Sequence, residues 1–410
     1  MKSLLFLQLA LLSSAAVVKY PNSGRSRGSS NSVFDILAED NRFYDFLDVL
    51  SKERSLTDDL QDSKQEVTVF APTNQAFEKL RNTYQGNLPR EELRDAVRYH
   101  FIPEWLEYED LREEKLIETQ LRPRGLDGEY QKIRVVRREG HVVLNNLVSI
   151  SEADLEARNG IVHAVDDVLL PPPKVTDLIF RMANKFSTFS AALQRTGLND
   201  DFEREKGITA FVPTNSAFRK LGCRALNYLF GEEGEKDLRR ILEFHFSPEL
   251  VYGTEIEEQA GHRGGSKDRN RWNRGRRGGR DDDDDDYGRG RRRGGRRGSD
   301  WEEDRDLDSK VTPAFNLNYP RGSQGNRRGR SGYNDVTELP SFLRGEKIYL
   351  EVKKTPSRRV YINVNDEARV IFSDIPSENG VFHAIDQVLL PENLDIPDYD
   401  WFDNDDQCDF

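Results

Sequence analysis

The most reactive side chains in this 410-residue sequence are six histidines and two cysteines, and their spacing limits the chemistry available. His163 stands three residues before Asp166, and His383 three residues before Asp386. A histidine near a carboxylate is the outline of a general acid–base pair, and Asp166-Asp167 doubles the acid. Around that pair the sequence offers no partner carboxylate, and no second ligand stands at zinc-like spacing. His163 and His383 therefore read as structural histidines, hydrogen-bonded inside a domain, with the aspartates solvated or bonded in a turn. The H-E-x-x-H helix, the phosphate-cradling Gly loop and the C-x-x-C pair are all absent. No catalytic residue, cofactor or metal is expected. Cys223 and Cys408 are too few for a zinc site or a stapled scaffold, but they can form one bridge in an oxidising compartment.

The elements that position these residues occur twice. Thr68–Leu80 reads TVFAPTNQAFEKL and Thr209–Leu221 reads TAFVPTNSAFRKL. Each opens as a β-branched, aromatic strand and breaks at Pro72 or Pro213. Each continues through Thr73-Asn74 or Thr214-Asn215, whose side-chain oxygens suit a helix start. Phe77 and Phe218 anchor the short helices that follow, and with Asn74 and Asn215 they read as structural. Upstream, Phe43, Phe46, Leu47 and Leu50 share one helical face, as do Val175, Leu178, Ile179 and Met182. Downstream, His100 shares an apolar face with Leu93, Ala96 and Val97, and His245 with Leu238, Ile241 and Leu242. Strands are expected at Ile133–Val135, Val142–Leu144, Ile348–Val352 and Val360–Val364. Each copy closes on a second box, NGIVHAVDDVLLP at Asn159–Pro171 and NGVFHAIDQVLLP at Asn379–Pro391. Its Asn-Gly pair reads as the positive-φ corner of a tight hairpin.

The boxes start 91 residues apart in the first copy (68 to 159) and 170 apart in the second (209 to 379), which locates an insertion at about 258–340. Gly261–Ser299 within it holds thirteen arginines and seven aspartates among many glycines. Such a segment buries too little apolar surface to offset its ordering entropy, so a disordered loop is expected. The chain is 33% charged and 36% apolar. That balance agrees with a chain that is not core-forming throughout. Residues 1–16, with Lys2, the apolar Leu4–Leu12 and the small Ser14-Ala15-Ala16, have the form of a cleaved signal peptide. A flexible lead-in is expected over 17–31 and an acidic tail over 393–410. Nowhere is there an apolar run of transmembrane length, so no membrane span is expected. The mature chain is expected in the secretory pathway or outside the cell, with the vacuole lumen as the alternative.

The two boxes, with an aromatic–histidine dipeptide between them, resemble those of the fasciclin domain: a first box of the type TxFAPTNxAF and a last of the type NGxxHxVDxVLLP. The resemblance runs from Ser32 to Pro391, apart from the insertion. It implies an α+β fold of two tandem fasciclin-like domains, each a wedge-like β-sandwich flanked by short helices, over 32–173 and 174–392. It also implies a non-enzymatic protein of adhesion, matrix or cell-wall contacts, with a protein or glycan partner. Some animal members of the family bind integrins through a tyrosine-histidine motif among branched apolar residues. Tyr99-His100, between Val97 and Ile102, matches that motif and is a candidate binding site, whereas the second copy has Phe244 before His245.

The insertion suggests a third reading, a polyanion contact through its Arg/Gly tract. Arg276 and Arg277 form one of its dibasic pairs, which also suit a processing protease. Asp281–Asp286 supplies internal counter-charge, the net charge is −12, and a signal peptide would part the protein from most RNA. A stable nucleic-acid partner is therefore not expected. N-x-S/T and Arg-Gly-Asp sequences are absent as well.

Overall fold

The computed structural model describes residues 30–61, 66–85, 89–111, 115–256, 336–354, 360–392, 394 and 396. Each copy of the repeat builds one seven-stranded sheet with helices against it. In the first domain the strands are β1 (Val67–Pro72), β2 (Phe101–Ile102), β3 (Lys115–Glu118), β4 (Lys132–Arg138), β5 (His141–Leu144), β6 (Val148–Ala157) and β7 (Gly160–Val165). They lie in the order β2-β1-β7-β6-β5-β4-β3. In the second domain β8 (Ile208–Pro213), β9 (Phe246–Ser247), β10 (Val336–Pro340), β11 (Lys347–Lys354), β12 (Val360–Val364), β13 (Ala368–Ser377) and β14 (Gly380–Ile385) repeat that order in reverse listing. The α+β class implied by the boxes is the observed one.

The two boxes are neighbours. β1 pairs in parallel with β7, Phe70 opposite His163, and β14 pairs in parallel with β8, His383 opposite Phe211. All six residues of β1 are buried, as are all six of β7. Apolar character on both faces is what a parallel pair covered on both sides requires. Val67, Val69 and Ala71 face the helices and pack with Phe46, Phe77 and Val162. Phe70 points the other way, into a second core with Tyr99, Ile133, Val135, Leu144 and Val165. That core draws on β1 through β7, so the sheet closes over itself as a sandwich with the helices outside.

The long strands β6 and β13 make this turn possible. Each carries a register shift, around Glu152–Leu155 and around Phe372–Ile375, where a bulge bends the strand. Asp154 (φ 58°) and Asp374 (φ 60°) take the left-handed conformation there. Aspartate tolerates that conformation better than most residues.

Several local expectations are corrected. Thr73 and Thr214 do cap the helices that follow them, accepting from Ala76 N and Ala217 N. Asn74 does not cap: its Oδ1 accepts from Asp45 N (3.0 Å) and its Nδ2 donates to Asn41 O (2.8 Å), tying two helices together. Asn215 accepts from Thr188 N in the same way (3.1 Å). The Asn-Gly corners contain no positive φ. Gly160 and Gly380 are needed for close approach instead. A Cβ on them would lie 2.1 Å from Val67 O and 2.0 Å from Ile208 O respectively. Asn159 is a buried latch, accepting from Val33 N (2.9 Å) and donating to Leu60 O (2.9 Å). Asn379 repeats this with Val175 N (3.0 Å) and Phe202 O (2.9 Å).

The domains meet through β4 and the β13 bulge. Gln131 Nε2 donates to Ser377 O (2.8 Å), and Arg134 Nη1 donates to Ser373 O and to Asp374 O. Lys132 Nζ pairs with Glu255 (2.8 Å) and lies over the Tyr252 ring. Gly207 N donates to Gly125 O (2.9 Å). Side chains of one domain thus hold backbone carbonyls of the other.

Candidate functional site

Tyr99 ends the helix Arg90–Tyr99 and His100 follows it, so both point inward beneath the start of β2. Tyr99 is 0% exposed and His100 1%. The Tyr99 hydroxyl donates to Lys132 O (3.0 Å) and accepts from Asn145 Nδ2 (2.8 Å). Burial pushes the phenol pKa up, so it stays a neutral donor. Neither side chain is presented at the surface, where the expected partner contact would need it. An apolar helical face was legible in the sequence, but the depth of the tyrosine was not, because β4 and β5 close over it from later in the chain. Tyr99→Phe is expected to cost about 1–2 kcal/mol, since Asn145 Nδ2 loses its acceptor inside the fold. Phe244 shows that the fold accommodates the change in the other copy. Denaturation midpoints and cell attachment measured together check this; attachment lost at an unchanged midpoint would contradict the buried role.

The four histidines that the two copies share work alike. His100 Nδ1 donates to Ala96 O (2.6 Å) and its Nε2 accepts from Leu169 N (3.0 Å). His245 does the same with Ile241 O (2.7 Å) and Leu389 N (3.0 Å). Each therefore ties the end of a helix to the segment just after the closing strand. His163 Nε2 donates to Leu106 O (2.9 Å) while its Nδ1 accepts from Asp154 N (3.2 Å). His383 donates to Val251 O (3.0 Å) and accepts from Asp374 N (3.1 Å). These two rings hold the bulges against the loop that leaves β2 or β9.

An imidazole that donates at one nitrogen and accepts at the other is neutral, with its tautomer fixed. Burial lowers the His100 and His245 pKa values to about 4. It lowers those of His163 and His383 too, against opposing pulls from Leu106 O and Asp154 in one case and from Asp374 and Val251 O in the other. With both nitrogens engaged by backbone, none of the four can pass a proton to a substrate.

The remaining candidates are dispersed. Asp166 accepts from Ser149 N (2.9 Å), and Asp386 from Arg369 N (2.8 Å), each helping to fasten two strands. Phe77 and Phe218 are buried anchors, 5% and 1% exposed. Arg276, Arg277 and Cys408 lie outside the described residues. Cys223 opens the helix Cys223–Leu229 and is not a free thiol. Among the described residues no three His, Cys, Asp or Glu side chains gather as a metal site. No helix among them is long and apolar enough to cross a membrane.

Sequence reasoning missed the αL aspartates, the Asn159 and Asn379 latches and the Gln131–Arg134 joint. An aspartate in the middle of a strand pattern was the one available signal for the bulges.

These features define the class. The fasciclin-domain model matches residues 41–171, 184–274 and 325–391, and the chain belongs to that family. Among curated proteins it is 27% identical over 175 residues to the pig transforming growth factor-beta-induced protein ig-h3, covering 42% of this chain and 25% of that protein. It is also 27% identical over 220 residues to the aurofusarin biosynthesis cluster protein S of Gibberella zeae (52% and 53% covered). A fasciclin-like arabinogalactan protein, elcF, of Phaeosphaeria nodorum matches at 27% over 235 residues (54% and 70%). The chain thus spans a quarter of the first of these relatives and about half of the second. Among solved structures, a FAS1 domain pair from the insect cell adhesion molecule Fasciclin I aligns over 86% of this chain and 98% of that one, at 17% identity and a TM-score of 0.37.

Proposed function

We propose that this protein is a secreted, non-enzymatic binding module that works in adhesion, matrix or cell-wall contacts. The observation that carries the reading is the use of the titratable groups inside the boxes. The four imidazoles that the two copies share serve the backbone at both nitrogens, so the shared residues build the fold and leave surfaces, rather than a cleft, for recognition. The relative named as a fasciclin-like arabinogalactan protein supports the same direction. The partner is a protein or glycan. Expression of a tagged full-length chain, followed by localisation and attachment of cells to the immobilised protein, tests the reading. Retention in the vacuole would overturn the extracellular destination, and attachment no better than to an inert protein would overturn the adhesive role.

The composition of the insertion favours a second activity, contact with polyanions such as sulfated glycans through arginines that include Arg276 and Arg277. Deleting 261–332 is expected to abolish salt-sensitive retention on heparin; retention unchanged by the deletion would remove this activity. We propose further that Cys223 pairs with Cys408, so that cleavage at the dibasic sites would leave two linked pieces. Gel mobility with and without reductant decides both: a single band in each condition would overturn the cleavage, and two alkylatable thiols the bridge.

A further inference from the structure

The joint between the domains is one-sided, and the repeat makes its second half predictable. Val135 pairs with Leu144 in the first sheet as Leu350 does with Val364 in the second. Arg134 of β4 therefore corresponds to Tyr349 of β11, Lys132 to Lys347, and Gln131 to Glu346. On the receiving side, Asp374 corresponds to Asp154, both at the αL position of the bulge. Leu106 O and Val251 O accept from equivalent histidines, and Tyr108 N and Gly253 N donate to the equivalent aspartates. That register places Asp110 where the second domain has Glu255, and Arg158 where it has Glu378. Among the described residues, the internal joint is built chiefly on the first domain's β4 face and the second domain's bulge. The β11 face of the second domain and the bulge face of the first are left on the outside.

We propose that these two faces dock on each other between copies of this chain, repeating the internal joint head to tail. Three positions carry the complementarity. Lys347 would meet Asp110, as Lys132 meets Glu255 at 2.8 Å in the internal joint. Glu346 would meet Arg158, an opposite-charge pair where the internal joint has Gln131 beside Glu378. Tyr349 would set its hydroxyl against the carbonyls of the Asp154 bulge, where Arg134 grips those of Ser373 and Asp374. Tyr349 and the neighbouring Val336 are 43% and 49% exposed. They are large apolar side chains on a strand face that its twin in the first domain buries, and such a patch marks an interaction surface. Lys347, Asp110 and Arg158 are likewise exposed.

The contact is heterologous, because a donor face meets a different acceptor face. It extends into chains rather than closing as a dimer. Ionic pairs at exposed positions make it salt-sensitive and of modest affinity. It would give a surface protein multivalency without a second binding site. It does not depend on the adhesive role proposed above, because self-association is read with no ligand present.

Sedimentation velocity on the full-length protein, from about 1 µM to about 1 mM at low and high salt, tests the joint. The average mass is expected to climb with concentration at low salt, without a plateau at the dimer. Lys347→Glu and Asp110→Lys should each weaken association about tenfold. An equimolar mixture of the two should recover it, because each broken contact is then replaced either by the reversed pair or by the native one. A protein that stays monomeric to about 1 mM, association indifferent to both reversals, or a mixture no better than its components would each overturn the proposal.

Discussion

Gly160→Ala is expected to unfold the first domain. The new methyl would lie 2.1 Å from Val67 O and 2.9 Å from Val33 Cγ2, and the nearer atom is backbone in the parallel partner strand. A side chain could swing away, but a carbonyl fixed in β1 cannot without breaking the β1–β7 ladder that joins the two boxes. Overpacking in a well-filled core costs about 1–3 kcal/mol, and contact with fixed backbone belongs at or above the top of that range. That is a large fraction of the stability of a domain this size. Gly380→Ala should do the same to the second domain, where Ile208 O is 2.0 Å away. Chemical denaturation of both variants checks this. A wild-type midpoint for Gly160→Ala would mean that β1 and β7 can spread apart, and the latch built from the two boxes would be misread.

Acid should destabilise both domains, and the sign follows from the histidines. His100 and His245 are neutral in the fold with pKa values of about 4, against an ordinary value of 6.5. Below about pH 6.5 the unfolded chain therefore binds protons that the folded chain refuses, so stability falls as the pH drops from about 6.5 towards about 4. Above that window these groups contribute no pH dependence. At about pH 5 the loss is about 2 kcal/mol for each of the two rings, rising to about 3 kcal/mol below about pH 4. His163 and His383 add to it in the same direction, since protonating Nδ1 would turn an acceptor of a backbone N–H into a second donor. Urea midpoints at about pH 7.5, 6 and 5 should fall in step. A midpoint independent of pH across this range would show that the rings are not bridged as described.

Much of the candidate site was legible only as chemistry, not as position. Tyr99-His100 was found by its residue types, and helical periodicity put His100 on an apolar face. Neither signal tells a core-edge aromatic from a surface one. Periodicity reports which side of a helix is apolar, and says nothing of how many later strands will cover it. Asn159 was misread in the same way. An Asn-Gly pair between strands suggests a corner defined by its φ angles, whereas here the asparagine reaches back 126 residues to Val33 N.

What the sequence determined by itself is the local and the repeated. The two boxes, the α+β class, the helices at Phe43–Leu50 and Val175–Met182 and the strands around Val135 and Leu350 follow from period, turn chemistry and self-similarity, which act over a few residues. The tertiary structure decided the rest. It brought β1 against β7, which made the glycines points of contact rather than corners. It enclosed four imidazoles and thereby fixed their protonation. It also set β4 on the β13 bulge, where Gln131 and Arg134 meet the carbonyls of Ser377 and Ser373, far along the chain. A strand pattern shows that a face will be covered or wet. Only the folded chain shows which surface covers it, because that choice depends on backbone groups that carry no signature in the sequence.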